Sequence, residues 1–268
     1  MLVRRPAVAG SFYDGDAKQL ARDVREHLGE PAGAEPAFGA IAPHAGYIYS
    51  GPVAGAVYAR IEVPATAVVL CPNHTGRGAR AAVDPSDAWR TPLGDVRVDK
   101  DLARRLMELA PSLREDSSAH AGEHSLEVQL PFLQLRRPDV AIVPVCLGAP
   151  DLALCREVGH ALATLMTETE EPPLLVASSD MNHYESRAVG RAKDDRALAR
   201  VQALDPEGLF RTVVAENITM CGFLPATALL FAAREAGVSS ARVVARRDSG
   251  DETGDTSSVV GYAGVILK

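Results

Sequence analysis

Only four of the 268 residues are cysteine, at positions 71, 146, 155 and 221, with no C-x-x-C pair and no regular spacing. That excludes a disulfide framework and is the usage of a reducing compartment. Long apolar runs are missing too. No segment is long enough to cross a bilayer, and in MLVRRPAVAGSFYDG the apolar stretch after the two arginines is too short and broken for a signal peptide. The expectation is a cytoplasmic protein with no membrane partner. Nor is there an excess of positive charge: 28 basic and 35 acidic residues give a net charge of −7, and arginines occur as scattered pairs such as Arg104-Arg105 and Arg136-Arg137. Nucleic acid is therefore not an expected partner. Walker A, G-x-G-x-x-G and G-x-S-x-G motifs are absent. NHTGRG is thus a poor phosphate loop, and Ser178 and Ser179 beside Asp180 and His183 do not make a hydrolase triad.

What is present supports a large core. The hydrophobic content is 47%, enough for residues 1–268 to form one domain. Short apolar runs at Gly39–Ala42, Ala67–Leu70, Val140–Val145, Leu174–Ser178, Ala241–Ala245 and Val259–Ile266 read as strands. Between them apolar residues recur at helical spacing: Leu20, Val24 and Leu28 between Asp16 and Gly29; Val53, Val57 and Ile61; Leu102, Leu106 and Leu109 before Pro111; Leu154, Val158, Leu162 and Leu165. Asp205-Pro206 starts a further helix through Val214, and Leu224–Ala236, closed by Gly237, reads as a buried one. This alternation predicts an α/β layer architecture on a mixed or largely parallel sheet. The loose stretches are Glu30–Pro36 and the acidic turn Asp248–Asp255.

Three of seven histidines follow strands: His44 after FGAIAP, His74 after TAVVLCPN, His183 after LLVASSDMN. In open α/β sheets the loops at the strands' C-terminal ends face a shared crevice, so three imidazoles delivered there can converge. Such a set suits Fe(II), Zn(II), Cu or Ni. Asp180 and Cys221 are both candidates for a further donor. Cys71 and Cys146 read as small buried hydrophobes. His120 and His124, four apart, lack the H-E-x-x-H order of a metallopeptidase helix, which leaves Glu123 and His124 as support for a ligand or as substrate contacts.

The blocks RRPAVAGSFY (4–13), PHAGYIYSG (43–51), PNHTG (72–76), WRTPLGDV (89–96), EHSLEVQLPFL (123–133), SSDMNHY (178–184), MCGFLP (220–225) and SVVGYAG (258–264) occur in this order along the whole chain. In them the chain resembles the Memo family, also known as AmmeMemoRadiSam system protein B. The resemblance implies a three-layer α/β/α fold like that of the class III extradiol dioxygenases, with a central mixed, largely parallel sheet. It implies His44, His74 and Cys221 as metal ligands, with Asp180 and His183 completing the pocket and His183 as acid and base. Tyr47, with Tyr49, is expected at the pocket mouth. The implied cofactor is a divalent transition metal, Fe(II) first, with Cu or Zn as alternatives, since a cysteine replaces the dioxygenases' glutamate and softens the site. The implied activity is a non-haem, dioxygenase-like oxidation of a small molecule or peptide, with a radical-SAM protein of the same system as a partner. The alternatives are a non-catalytic protein that holds a peptide or phosphopeptide in the same pocket or acts within a complex, and a metal-dependent hydrolase.

Overall fold

A computed structural model describes residues 1–30 and 33–268, so the loose stretch expected over Glu30–Pro36 lies partly outside the described residues. In chain order the elements are β1 (Val3–Arg4), α1 (Ala17–Leu28), β2 (Gly39–Ala42), α2 (Tyr47–Tyr58), β3 (Thr66–Pro72), β4 (Ala81–Val83), β5 (Ala88–Thr91), β6 (Gly94–Val98) and α3 (Lys100–Leu109). There follow β7 (Arg114–Glu115), α4 (Leu130–Arg136), β8 (Ala141–Leu147), α5 (Leu152–Glu168), β9 (Leu174–Ser178) and β10 (His183–Glu185). The chain closes with α6 (Arg187–Gln202), α7 (Pro206–Ala215), α8 (Phe223–Glu235), β11 (Ala241–Asp248), α9 (Gly250–Thr253) and β12 (Val259–Leu267).

The described strands form one twelve-stranded sheet whose centre is the parallel set β8-β3-β9-β2. β12 adds antiparallel to β2, and β11 antiparallel to β12. Because side chains alternate across a strand, each central strand feeds two cores. Val68 and Leu70 of β3, Val143 and Val145 of β8 and Leu175 of β9 meet α3, α5, α7 and α8 on one face. Ala67, Val69, Ile142 and Val176 meet α1, α2 and α4 on the other. The architecture is therefore the expected three-layer α/β/α, and parallel strands buried on both faces explain why their sequences are continuous apolar runs. No helix among the described residues is long and apolar enough to cross a membrane.

All six expected strands form, and the expected helices start where their caps stand. Asp16 accepts from Lys18 N and Gln19 N, and Asp205 from Gly208 N, with Pro206 in the first turn. Other elements depart from expectation. The second helix begins at Tyr47, whose N–H bonds Phe12 O at 2.8 Å, and ends before Ile61, which instead bridges Glu35. The acidic turn contains α9, held by ion pairs from Arg187 to Asp248 and Asp251. Helix α6 has no counterpart in the sequence reading because its buried face includes Gly190 and Asp194, which carry no apolar period.

Leu70 is fully buried at the middle of this sheet. Leu70→Ala should cost about 2–5 kcal/mol in urea unfolding, whereas Val214→Ala, at a position 51% exposed on α7, should stay within about 0.5 kcal/mol.

Candidate metal centre

Strands β2, β9 and β3 are parallel neighbours, with Ala42 opposite Ser178 and Leu70 opposite Ala177, so they end at one edge. His44, His74 and Asp180 each stand two residues beyond their strand. The remaining donor comes from elsewhere: Cys221 lies in the turn entering α8. That turn packs so tightly on the end of β9 that a Cβ at Gly222 would lie 2.2 Å from Ser178 O, which accounts for the Cys-Gly pair. One donor atom each from His44, His74 and Cys221 falls within 4.8 Å of the others. Cys221 Sγ is 3.2 Å from His44 Nε2. Metal bonds of about 2.0 Å to nitrogen and about 2.3 Å to sulfur would separate tetrahedral ligand atoms by roughly 3.5 Å, so the observed spacing fits a transition metal.

Hydrogen bonds fix which imidazole nitrogen faces this point. Ser178 Oγ donates to Ser125 O at 2.6 Å and accepts from Gln129 Nε2 at 2.8 Å. Gln129 itself is oriented by Pro43 O, which can only accept and is 3.0 Å from Nε2. The remaining lone pair of Ser178 Oγ must then accept His44 Nδ1–H at 2.9 Å, and His44 Nε2 is left with its lone pair toward Cys221. For His74 the partner is Glu123, whose Oε1 is 2.9 Å from Nδ1 and whose Oε2 accepts the His74 N–H at 2.6 Å. Burial pushes the Glu123 carboxyl up, but hydrogen bonds from His74 and Ser125 outweigh it and bring it down to about 2. A carboxylate can only accept, so His74 also carries its proton on Nδ1 and offers Nε2. This is the carboxylate–histidine arrangement that orients metal ligands. Burial, with neighbouring His74 and His124, holds His44 well below the ordinary histidine range, in the neutral form that ligates. Burial and nearby Asp180 push the Cys221 thiol up; a bound cation would favour the thiolate.

These donors open into a cavity of about 730 Å³, which is in the range of small-molecule sites. His183 lines it, with its N–H on Thr219 Oγ1 at 2.7 Å and Nδ1 on the Thr219 carbonyl at 2.9 Å, leaving Nε2 available. Asp180 also lines it. Its Oδ1 accepts the N–H groups of His44 and Ala45, so it anchors the turn after β2, while burial pushes its carboxyl up. His124 stacks on His74 with ring centroids 4.8 Å apart. Two expectations need correction. Tyr47 is buried, with its hydroxyl donating to Val128 O at 2.6 Å, and does not line the cavity; Tyr49 does. Of the two roles expected of Glu123, substrate contact is the one that fails, since it is fully buried and committed to His74 and Ser125.

Several contributors were not singled out from the sequence. Phe12, Ile48, Tyr184, Thr219 and Tyr262 line the cavity. Arg4, in the first quoted block, forms a buried ion pair with Glu127 and donates to the carbonyls of His120 and Glu123. It thereby pins the loop that carries Glu123 and His124. The block itself was the available signal for Arg4 and Phe12; nothing local marked Thr219.

The family described as Memo-like protein matches residues 4–266. A MEMO1 family protein of Aquifex aeolicus is 41% identical over 269 residues, covering 100% of both chains. Another, of Methanothermobacter thermautotrophicus, is 40% identical over 275 residues, covering 98% of this chain and 99% of that protein. The crystal structure of an uncharacterized protein from Escherichia coli K12 is similar in fold, with a TM-score of 0.56 and 18% identity over 78% of this chain and 88% of that one.

The Glu123 carboxyl sits at about 2 in the fold against an ordinary 4.5, so its contribution to stability is complete above that ordinary value and fades as pH falls toward 2. In acid unfolding series, Glu123→Gln should lack this part of the wild-type loss. The same variant should weaken metal binding about 10–100-fold in competition with a chelator.

Proposed function

The chain belongs to the Memo-like protein family, and on that footing we propose that it holds a divalent transition metal, Fe(II) first, on His44, His74 and Cys221 and works as a non-haem, dioxygenase-like oxidoreductase. The observation that carries this reading is the convergence of two imidazoles and one thiol, with one donor atom of each within 4.8 Å of the others, each imidazole being locked by a hydrogen bond at Nδ1. When bound, Fe(II) with open positions supplies oxygen-activation chemistry. The protein's own groups do the rest. Glu123 and Ser178 keep the imidazole tautomers fixed, and Asp180 holds the backbone at His44 in place. His183 Nε2 faces the cavity as the group that takes up or returns a substrate proton. Phe12, Tyr49, Tyr262 and Val260 give the cavity walls that exclude water and hold a largely apolar molecule.

Among the described residues, no lysine or arginine lines this cavity. That argues against a phosphopeptide as its occupant, because phosphate recognition is built on such donors. A second reading, non-catalytic binding of an unmodified peptide, is favoured by one observation: Ile48 and Tyr184 stand 60% and 78% exposed at the rim.

Elemental analysis of anaerobically purified protein tests the metal. Wild type should carry about one equivalent, and His44→Ala, His74→Ala and Cys221→Ser should lose most of it; equal content in all four sinks the assignment. Oxygen uptake with catechols or ascorbate tests the chemistry, and intact metal without turnover would favour the binding reading. His183→Gln should keep its metal and lower kcat by about 10²–10⁴.

A further inference from the structure

A second cavity, of about 280 Å³, lies behind the first. The two are separated by β12 and the end of β11. Val260 lines the central cavity whereas Val259 and Gly261 line the second, as alternation along β12 requires, and Ser249 and Asp248 divide between the two in the same way. Its walls carry four arginines. Arg187 and Arg191 are one turn apart on α6, and Arg246 and Arg247 are consecutive near the end of β11. Among the described residues two carboxylates share the lining, Asp194 and Asp248.

The simplest role for these arginines is stapling α6 to β11 and α9, and part of their capacity is used so. Arg187 pairs with Asp248 and Asp251, Arg191 reaches Asp248 at 3.3 Å, Arg246 pairs with Asp195, and Arg247 lies 3.6 Å from Asp251. Stapling does not account for the rest. A guanidinium has five N–H donors, and the four groups direct only a few at these acids. Arg187 Nε is buried with no partner. Asp194 is partly committed elsewhere: its Oδ1 accepts the Asn182 N–H at 2.9 Å, and no ion pair joins it to these arginines among the described residues. Gly261 leaves room for it, since a Cβ there would lie 2.3 Å from Asp194 Oδ2. Several planar forks around one small concavity, with unused donors, match the geometry of a tetrahedral oxyanion.

We propose that this cavity, bounded by α6 and the ends of β11 and β12, binds a small phosphate-type oxyanion through Arg187, Arg191, Arg246 and Arg247. The site lies outside the metal centre and does not depend on its assignment. It adjoins that centre through Asp194, which holds the backbone N–H of Asn182 immediately before His183.

Inorganic phosphate is the probe. Titrated into the purified full chain at constant ionic strength against chloride, it should raise the melting temperature saturably. It should also shift the amide resonances of Gly190, Gly261 and Asn182. Arg191→Gln and Arg246→Gln remove side chains that are 56% and 36% exposed, so both variants should fold. Each should weaken phosphate binding at least about ten-fold, the cost of losing a charge-assisted hydrogen bond. The proposal is overturned if phosphate acts no differently from chloride, if both variants respond like wild type, or if the shifts appear around His44 and Cys221 instead.

Discussion

Parallel hydrogen bonding between β2, β9 and β3 obliges three loops to leave the sheet at the same edge, and the candidate metal centre descends from that obligation. His44 and Asp180 then stand two residues past the paired ends Ala42 and Ser178, and His74 one residue further along because β3 runs one residue longer. Had any one of these strands run the other way, its loop would have opened at the opposite end of the sheet. The continuous burial of both sheet faces is what keeps the register from slipping, since a one-residue shift would exchange the two cores.

Above that scaffold the centre is held by buried polar groups whose partners are all accounted for. Ser178, Gln129 and Ser125 form one chain of donors and acceptors, and Glu123 with Ser125 and His74 forms another. Both pass through the loop that precedes α4, and that loop is tied down by Arg4 and Glu127. Glu127 also accepts from Ala7 N, Val8 N and the Tyr13 hydroxyl. A buried ion pair contributes little net stability once desolvation is counted, but losing one partner strands the other. Its use here is positional: it joins the N-terminal segment, which supplies Phe12 to the cavity, to the loop that supplies His124, and the two rings lie 4.8 Å apart.

Much of this was legible in the sequence because it rests on local signals. The six long strands are apolar runs, and the helix starts at Asp16 and Asp205 are written in side-chain caps. The strand-end histidines were recognisable from their position alone. What escaped depends on distance or on compensation. Strands β4 and β7 are only two or three residues long and take their partners from distant chain, and the β5–β6 hairpin carries no long apolar run. Helix α6 buries Asp194 where an apolar residue would have signalled a face. Tyr47 and Tyr49, two residues apart on one helix, cannot face the same way, and no feature of PHAGYIYSG says which one turns inward. Cys221 could be weighed as a donor, but the tautomers of its partners follow from a hydroxyl and a carboxylate more than forty residues distant in sequence.

The donors of the centre differ in how they are carried. Both histidines are fixed to the sheet edge and locked from behind, whereas Cys221 rides on a turn whose fit demands only the glycine that follows it. The thiol's hydrogen-bond contacts are with Asp180 and His44. Hard and soft character are therefore concentrated in one exchangeable position. In the proposed centre, a change from thiolate to carboxylate at this one codon would alter metal preference and redox range without disturbing the register of the sheet.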